Sequence, residues 1–312
     1  MTWGSYYRGD GSVHADDFAA PPPWREFPRR SLGVKFQPAK GLTDAVNAAL
    51  SLRRPLLITG APGSGKSTVI ESVAAELVLG EPLRWHITSR ATLIDALYRY
   101  DVLGRIHEQE LRQGKKNPPP DDIAQFLRLG PLGTALTPSG RPRALLIDEI
   151  DKSDLDLPSD LLDVLERGEY EIPELTRYSA DDVDVPLWES DETYTVHRGK
   201  VQCTEFPFIV MTSNEERDFP PAFLRRCIRF SMPTPDEDMI RDIVRAHLEM
   251  EVPEDGPLAD LLTGFVAKLQ AGDNIAIDQL LGAVFVLSGD DAPQGAHREE
   301  LTRMLMRELT RG

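Results

Sequence analysis

A glycine-rich segment with a lysine and two hydroxyl residues points most directly to chemistry. It is Gly60-Ala61-Pro62-Gly63-Ser64-Gly65-Lys66-Ser67-Thr68, and it follows the apolar run 55–59. A strand, a glycine-rich turn and a helix start form an arrangement in which backbone N–H groups and the helix N-terminus hold a phosphate chain. The spacing therefore predicts a phosphate-binding loop; a flexible surface loop that matches by chance is the open alternative.

The residue types within this loop suggest separate roles. Glycines can adopt a positive φ and let the main chain approach phosphate oxygens. Lys66 would reach the β- and γ-phosphates, and the Ser67 hydroxyl would ligate Mg²⁺. We expect a bound nucleotide to contact Gly60, Pro62, Gly63, Ser64, Gly65, Lys66, Ser67 and Thr68.

A second element is the apolar run 144–147, which ends in Asp148 and Glu149. Such a run predicts a strand buried on both faces, with its acids at the carboxyl edge, where α/β sheets bind ligands. Asp148 would hold Mg²⁺ through water, and Glu149 would polarise the water that attacks the γ-phosphate. For an isolated Asp-Glu pair, a solvated helix start would be the simpler interpretation.

A third element is the apolar run 206–211, followed by Thr212, Ser213 and Asn214. The Asn214 amide offers donors and an acceptor, so it could hydrogen-bond the γ-phosphate or the attacking water. Taken alone, Asn214 would more simply be a turn residue. Together with the other two elements, the ligand role is the better prediction.

In this order and spacing, the three motifs resemble those of AAA+ ATPases and, within that superfamily, the MoxR branch. Walker A is 60–68, Walker B is 145–151 and sensor 1 is 212–214. The segments that follow Walker B, 148–153 and 161–166, and the later segment 219–227 are also similar to the family pattern. The resemblance covers residue 31 to the C-terminus in outline and 56–231 closely.

The resemblance implies an α/β P-loop core, with a five-stranded parallel sheet flanked by helices, followed by an all-α lid. We expect a disordered N-terminal arm at 1–30 whose composition cannot bury a core, a nucleotide-binding domain at 31–233 with two insertions, and the lid at 234–312. It further implies a homo-oligomeric ring, expected to be a hexamer, that hydrolyses ATP with Mg²⁺ at subunit interfaces. In such a ring, Arg225 or Arg226 would serve the neighbouring site as an arginine finger; pairing with acids of the same subunit is the alternative.

The resemblance also implies a protein client that the ring remodels, and a von Willebrand A-domain partner. One family feature is missing. Lids of this kind offer a sensor 2 cation at a helix start, but the corresponding segment 272–280 contains no lysine or arginine. Lys268 is a possible substitute without support from the pattern.

The composition of the chain argues against several other classes of function. The chain has 312 residues and a net charge of −16, which argues against gripping nucleic-acid phosphates directly. No apolar stretch approaches the roughly 20 residues of a membrane span, so we expect a cytoplasmic protein without a membrane contact. Cys203 and Cys227 are expected to be reduced packing residues, and the histidines show no ligand spacing.

The segments between the motifs predict insertions and helices. Residues 91–143 exceed a simple crossover and are broken by Gly104, Gly114 and 117–120. Residues 170–173 and 193–196 are predicted to form a hairpin. The acidic residues between them are expected to form a mostly solvated loop, and an acidic contact surface is the alternative. After residue 233, apolar spacing predicts lid helices around 240–248, 261–269, 277–287 and 301–309.

Two other functions stay open. A nucleotide-gated scaffold would bind ATP and turn it over slowly; Glu149 argues against it, and the missing sensor 2 cation argues for it. A P-loop phosphotransferase acting on a small molecule would use Lys66 and Ser67, but it gives no role to Glu149, Asn214 and Arg225.

Overall fold

The computed structural model describes residues 6–14, 17–26, 36–113, 122–273, 275–289 and 292–307. These residues form two compact units. The sheet unit consists of Lys40–Thr59 and Val69–Ser231, and the helical unit consists of the described parts of Met1–Ala39, Gly60–Thr68 and Met232–Gly312. The domain boundaries expected after residues 30 and 233 stay predictions.

Eleven strands lie in the described part of the sheet unit. In chain order they are β1 (Leu56–Thr59), β2 (Leu83–His86), β3 (Tyr98–Tyr100), β4 (Leu127–Leu129), β5 (Ala144–Asp148), β6 (Glu169–Glu171), β7 (Asp182–Pro186), β8 (Thr193–His197), β9 (Lys200–Gln202), β10 (Phe208–Ser213) and β11 (Ile228–Ser231).

The central sheet confirms the predicted α/β core. Five strands pair in the order β11-β1-β10-β5-β2, and every pairing is parallel. All six residues of β10 are buried, because the strand lies at the centre of the sheet and is apolar on both faces. Parallel pairing brings the carboxyl ends of β2, β5 and β10 to one edge, with His86 opposite Asp148 in the register.

Helices cover this sheet. They are α1 (Leu42–Leu52), α2 (Thr68–Leu77), α3 (Leu93–Leu97), α4 (Val102–Gln113), α5 (Pro131–Ala135), α6 (Leu157–Arg167), α7 (Pro173–Thr176) and α8 (Pro221–Leu224). Buried residues of α6, such as Leu161 and Leu165, join the core that contains Leu145 and Ile147 of β5. The sheet therefore shares this apolar core with α3, α5, α6, α7 and α8.

The insertion before sensor 1 differs from the predicted hairpin. β6 pairs with β9, and β8 pairs with both β7 and β9, so the insertion is a four-stranded antiparallel sheet. The acidic segment is also not simply a loop, since Asp182 and Asp184 alternate with buried Val183 and Val185 along β7. Alternation of exposed acids with buried valines is the pattern of a half-buried strand.

The earlier insertion contains the β3–β4 pair and α4. Several features noted in the sequence lie outside the described residues: Gly114, 117–120, Asn274 and the last residues of the predicted 301–309 helix. Cys203 and Cys227 are free thiols, and burial raises the pKa of Cys227 to about 12. These two residues match the predicted packing role.

Gly133 in α5 gives a stability prediction. A Cβ at this position would overlap the Leu97 carbonyl oxygen and lie 2.7 Å from the Tyr170 hydroxyl, both inside the core. We expect Gly133→Ala to lower the free energy of unfolding by about 1–3 kcal/mol. Gly140→Ala is the matched control, because a Cβ there meets nothing within 4 Å. Urea unfolding measures both; equal midpoints would contradict the prediction.

The helical unit contains the predicted lid helices. They are α9 (Glu237–Leu248), α10 (Pro257–Ala271), α11 (Ile277–Leu287) and α12 (Gly295–Leu305). Their apolar faces form one cluster, and Trp24 of the N-terminal segment packs against it, with its ring 6.0 Å from that of Phe285. None of the helices in the described residues combines the length and apolar character that crossing a membrane requires.

Candidate active site

The glycine-rich loop belongs to the helical unit and takes a conformation that favours glycine. Gly60, Gly63 and Gly65 have φ values of 142°, 73° and 80°. A Cβ at Gly63 would also lie 3.0 Å from the backbone nitrogen of Ile277, at the start of α11. The close approach and the positive φ together explain why glycine is needed at position 63.

Lys66 is buried inside this loop. It is 7% exposed, and its Nζ donates hydrogen bonds to the carbonyl oxygens of Gly60 at 2.7 Å and Ala61 at 2.8 Å. Buried ammonium groups need such partners. The Ser64 hydroxyl oxygen is also buried and has no hydrogen-bond partner among the described residues. The loop thus holds a cation and a polar atom that an anion could bind, as the predicted phosphate role requires.

A cavity of about 260 Å³ lies beside the loop within the helical unit. Gly63, Ser64, Gly65 and Thr68 form one side of it. The remaining lining is largely apolar and includes Trp24, Phe36, Met232, Met239, Ile243 and Leu281. Such a lining suits a flat heterocyclic base. No sequence pattern indicated this cavity, since its walls come from three separate segments.

The start of α11 is the place where a sensor 2 cation was expected. Asp278 lines the cavity beside the loop at this point. Lys268 instead lines a separate cavity of the helical unit, together with Arg298 and Arg303. The structure therefore gives no support to Lys268 as a substitute.

The sheet unit gathers the predicted acids at the carboxyl edge of β5 and β10. The Thr212 hydroxyl donates to Asp148 Oδ1 at 2.6 Å and accepts from the Glu149 backbone N–H at 2.9 Å. Glu149 has a left-handed backbone with a φ of 59°, a conformation that costs energy for a residue with a Cβ. Thr212 thus fixes both acidic residues through one hydroxyl group.

Two basic side chains face the Glu149 carboxylate. Lys152 Nζ lies 2.8 Å from Glu149 Oε2, and His86 Nε2 lies 3.6 Å from the same oxygen. The hydrogen bond to Glu149 raises the pKa of Lys152. His86 Nδ1 is 3.8 Å from Asp148 Oδ2. His86 was not singled out from the sequence; it is the last residue of β2, which pairs with β5 in the sheet.

Asn214 follows β10 beside these acids. Its backbone N–H donates to Asp151 Oδ2 at 2.9 Å, so the sensor 1 segment is tied to the turn after β5. The structure therefore brings Asp148, Glu149 and Asn214 to one region of the sheet unit. The catalytic and metal-binding roles of these side chains stay predictions.

Arg225 and Arg226 follow α8. Both are exposed, and Arg226 Nε forms an ion pair with Glu166 Oε1 of α6. This contact is the same-subunit pairing that was the alternative to a finger role. It distinguishes the two arginines, which the sequence left equivalent.

The parallel sheet and the glycine-rich loop define an α/β nucleotide-binding protein of the P-loop class. The chain belongs to the AAA domain family (dynein-related subfamily), whose model matches residues 55–227. The matched residues include both Walker motifs and sensor 1. Membership supports ATPase activity at the level of the family.

Solved structures of two named proteins match most of the chain at low sequence identity. The chain is 15% identical to NtrX from Brucella abortus in complex with ATP, with a TM-score of 0.47, covering 85% of this chain and 53% of NtrX. For a point mutant of RuvB from Thermotoga maritima, the identity is 15% and the TM-score is 0.40, with 85% of this chain and 68% of RuvB covered. The chain thus spans about half the length of NtrX. No curated protein shows significant sequence similarity to it.

Proposed function

We propose that this protein is a MoxR-like AAA+ ATPase that hydrolyses ATP with Mg²⁺. The arrangement of Thr212 carries the proposal, because one hydroxyl fixes both Asp148 and the backbone of Glu149. A fixed pair of carboxylates is needed when one holds a cation and the other accepts a proton. The order of the motifs, which resembles that of the MoxR branch, supports the assignment to this branch.

Binding is assigned to the loop residues 60–68. Lys66 exchanges its two carbonyl contacts for phosphate oxygens, and the backbone of the glycines follows the phosphate chain. The apolar cavity beside Gly63 takes the base. Ser67 would ligate Mg²⁺ and Asp148 would hold it through water, and the cation would neutralise phosphate charge. No group of three acidic, histidine or cysteine side chains forms a metal cage in the described residues, which suits a cation held largely by phosphate.

Proton movement is assigned to Glu149. Lys152 and His86 both approach Oε2, so we assign Oε1 to the attacking water. Oε1 accepts a hydrogen bond from the water and takes its proton as the water oxygen bonds to the γ-phosphorus. The bond from that phosphorus to the bridging oxygen breaks, and ADP leaves with the bridging electron pair. Asn214 orients the water or the γ-phosphate through its amide. Steady-state release of inorganic phosphate from ATP tests the activity; transfer of phosphate to a metabolite would support the phosphotransferase instead.

We further propose that the protein works as a ring, with Arg225 acting in the neighbouring site. Arg225 is exposed, whereas Arg226 is paired with Glu166. We expect Arg225→Ala to lower turnover by about 10³-fold and Arg226→Ala to lower it much less. The measurement is the ATPase rate per subunit against protein concentration. A rate that stays flat from dilute protein to saturation, or equal losses in the two variants, would contradict this assignment.

The proposed protein client and partner rest on the resemblance of the motifs to the MoxR branch. A MoxR-like ring would remodel a protein client beside a von Willebrand A-domain protein. The net charge of −16 favours a protein partner over nucleic acid. Recovery of an A-domain protein on the tagged chain from its native host is the expected result, and repeated recovery of none would count against it.

One observation favours a nucleotide-gated scaffold as a second candidate. Asp278, a carboxylate, lines the cavity where the family places a sensor 2 cation. A negative charge there would be a poor stabiliser of charge on the γ-phosphate. Negligible turnover by wild-type protein that binds ATP tightly would support the scaffold.

A further inference from the structure

Two loops of the sheet unit are joined by a buried carboxylate. Asp151 lies in the turn after β5, and its Oδ2 accepts hydrogen bonds from the backbone N–H groups of Asn214 at 2.9 Å and Glu216 at 3.2 Å. Asp151 is 5% exposed. Its acceptor oxygen therefore holds two points of the loop that follows β10.

Arg217 joins the same two loops through further hydrogen bonds. Its Nη1 donates to the Ser153 carbonyl at 2.7 Å, and its Nη2 donates to Ser153 Oγ and to the Asp154 carbonyl, both at 3.0 Å. A planar guanidinium can hold several acceptors in a fixed geometry, which a lysine cannot. We call the contacts of Asp151 and Arg217 the loop clamp.

Packing does not account for an acid at position 151. Asp151 Oδ1 is buried and has no hydrogen-bond partner among the described residues. A buried carboxylate with an unpaired oxygen costs stability, and this cost is offset by the two backbone N–H groups that Oδ2 satisfies. The backbone contacts of Oδ2 are what an apolar residue would lose.

The clamp connects the two groups assigned to the reaction. Glu149 precedes Asp151 in one loop, and Asn214 begins the other. Thr212 links the carboxyl ends of β5 and β10, and the clamp links the loops that follow these two strands. Two side chains that contact one water molecule must keep a fixed distance from each other, because a displacement of about 1 Å can lower the rate about 100-fold.

We propose that Asp151 and Arg217 are positioning residues that hold Asn214 in register with Glu149 for ATP hydrolysis. The inference rests on the proposed ATPase activity. It predicts that the clamp affects turnover through Asn214, with little effect on nucleotide binding. A role in folding alone would not produce this dependence.

A double-mutant cycle tests the clamp in the full chain. Steady-state kcat and KM for ATP are measured for wild type, Asp151→Ala, Arg217→Gln, Asn214→Ala and the two doubles with Asn214→Ala. We expect each clamp variant to lower kcat about 10- to 100-fold, with KM within about twofold. In the Asn214→Ala background, each clamp substitution should lower kcat less than about twofold further, since the group it positions is absent.

Arg167→Gln is the matched control, because Arg167 is exposed and its ion pair with Asp163 stays within α6. Its kcat should equal that of wild type. If Asp151→Ala does not fold, Arg217→Gln carries the test. The positioning role would be overturned if the kcat losses of the single variants multiplied in the double variants, or if Arg217→Gln had the kcat of wild type. In either case, turnover by the wild type would still support the ATPase proposal. A wild type that binds ATP without cleaving it would overturn both.

Discussion

Lys66→Ala is expected to abolish measurable ATP binding. The ammonium is buried in the loop, where it is held by the carbonyl oxygens of Gly60 and Ala61. It is therefore already placed inside the cradle, and little ordering cost remains when phosphate replaces the carbonyl groups. Losing a charge-assisted contact to phosphate in a buried site should raise the Kd about 100-fold or more. Titration with a fluorescent ATP analogue measures this change.

Lys268→Ala is the control for this prediction. Lys268 also belongs to the helical unit, but it lines the separate cavity with Arg298 and Arg303. The affinity of the Lys268→Ala variant for ATP should match that of wild type. Thermal unfolding without nucleotide checks that both variants are folded. If folded Lys66→Ala bound ATP with the Kd of wild type, the proposal that the loop binds ATP would be wrong.

Glu149→Gln should bind ATP normally and fail to cleave it. Glutamine has the size of glutamate and can still accept a hydrogen bond from Lys152, but it cannot take a proton from water. The turnover number should fall by about 10² to 10⁴, the usual contribution of a general base. Phosphate release and analogue binding are measured on the same preparation.

Glu171→Gln provides the comparison, since Glu171 is an exposed residue of β6 in the small antiparallel sheet. Its rate should be that of wild type. Residual turnover of Glu149→Gln within about threefold of wild type would assign the proton to another group. His86 would then be the first candidate, because it lies beside both acids.

The central sheet was predictable because its strands are apolar on both faces. β5 and β10 are continuous apolar runs that end in polar residues, and this pattern indicates buried parallel strands with ligands at their carboxyl ends. The loop was predictable because its glycines are required by backbone geometry. These features are local, so the sequence displays them directly.

The remaining features depend on contacts between distant segments. Pairing of β6 with β9 spans the whole second insertion, and no turn signal specifies it. The clamp joins Asp151 to residues more than sixty positions away. The cavity beside the loop likewise combines Trp24, the loop and the lid helices. Periodicity and turn chemistry contain no information about such long-range contacts.

The central claim is that bound ATP is cleaved by this chain. A single-turnover experiment tests it most directly: excess wild-type protein, with Mg²⁺, is mixed with ATP labelled at the γ-phosphate, and bound ATP and free phosphate are followed in time. We predict that bound ATP disappears as inorganic phosphate appears in equal amount, and that Glu149→Gln keeps its ATP intact. Wild-type protein that retains uncleaved ATP as long as the Glu149→Gln variant does would contradict the account.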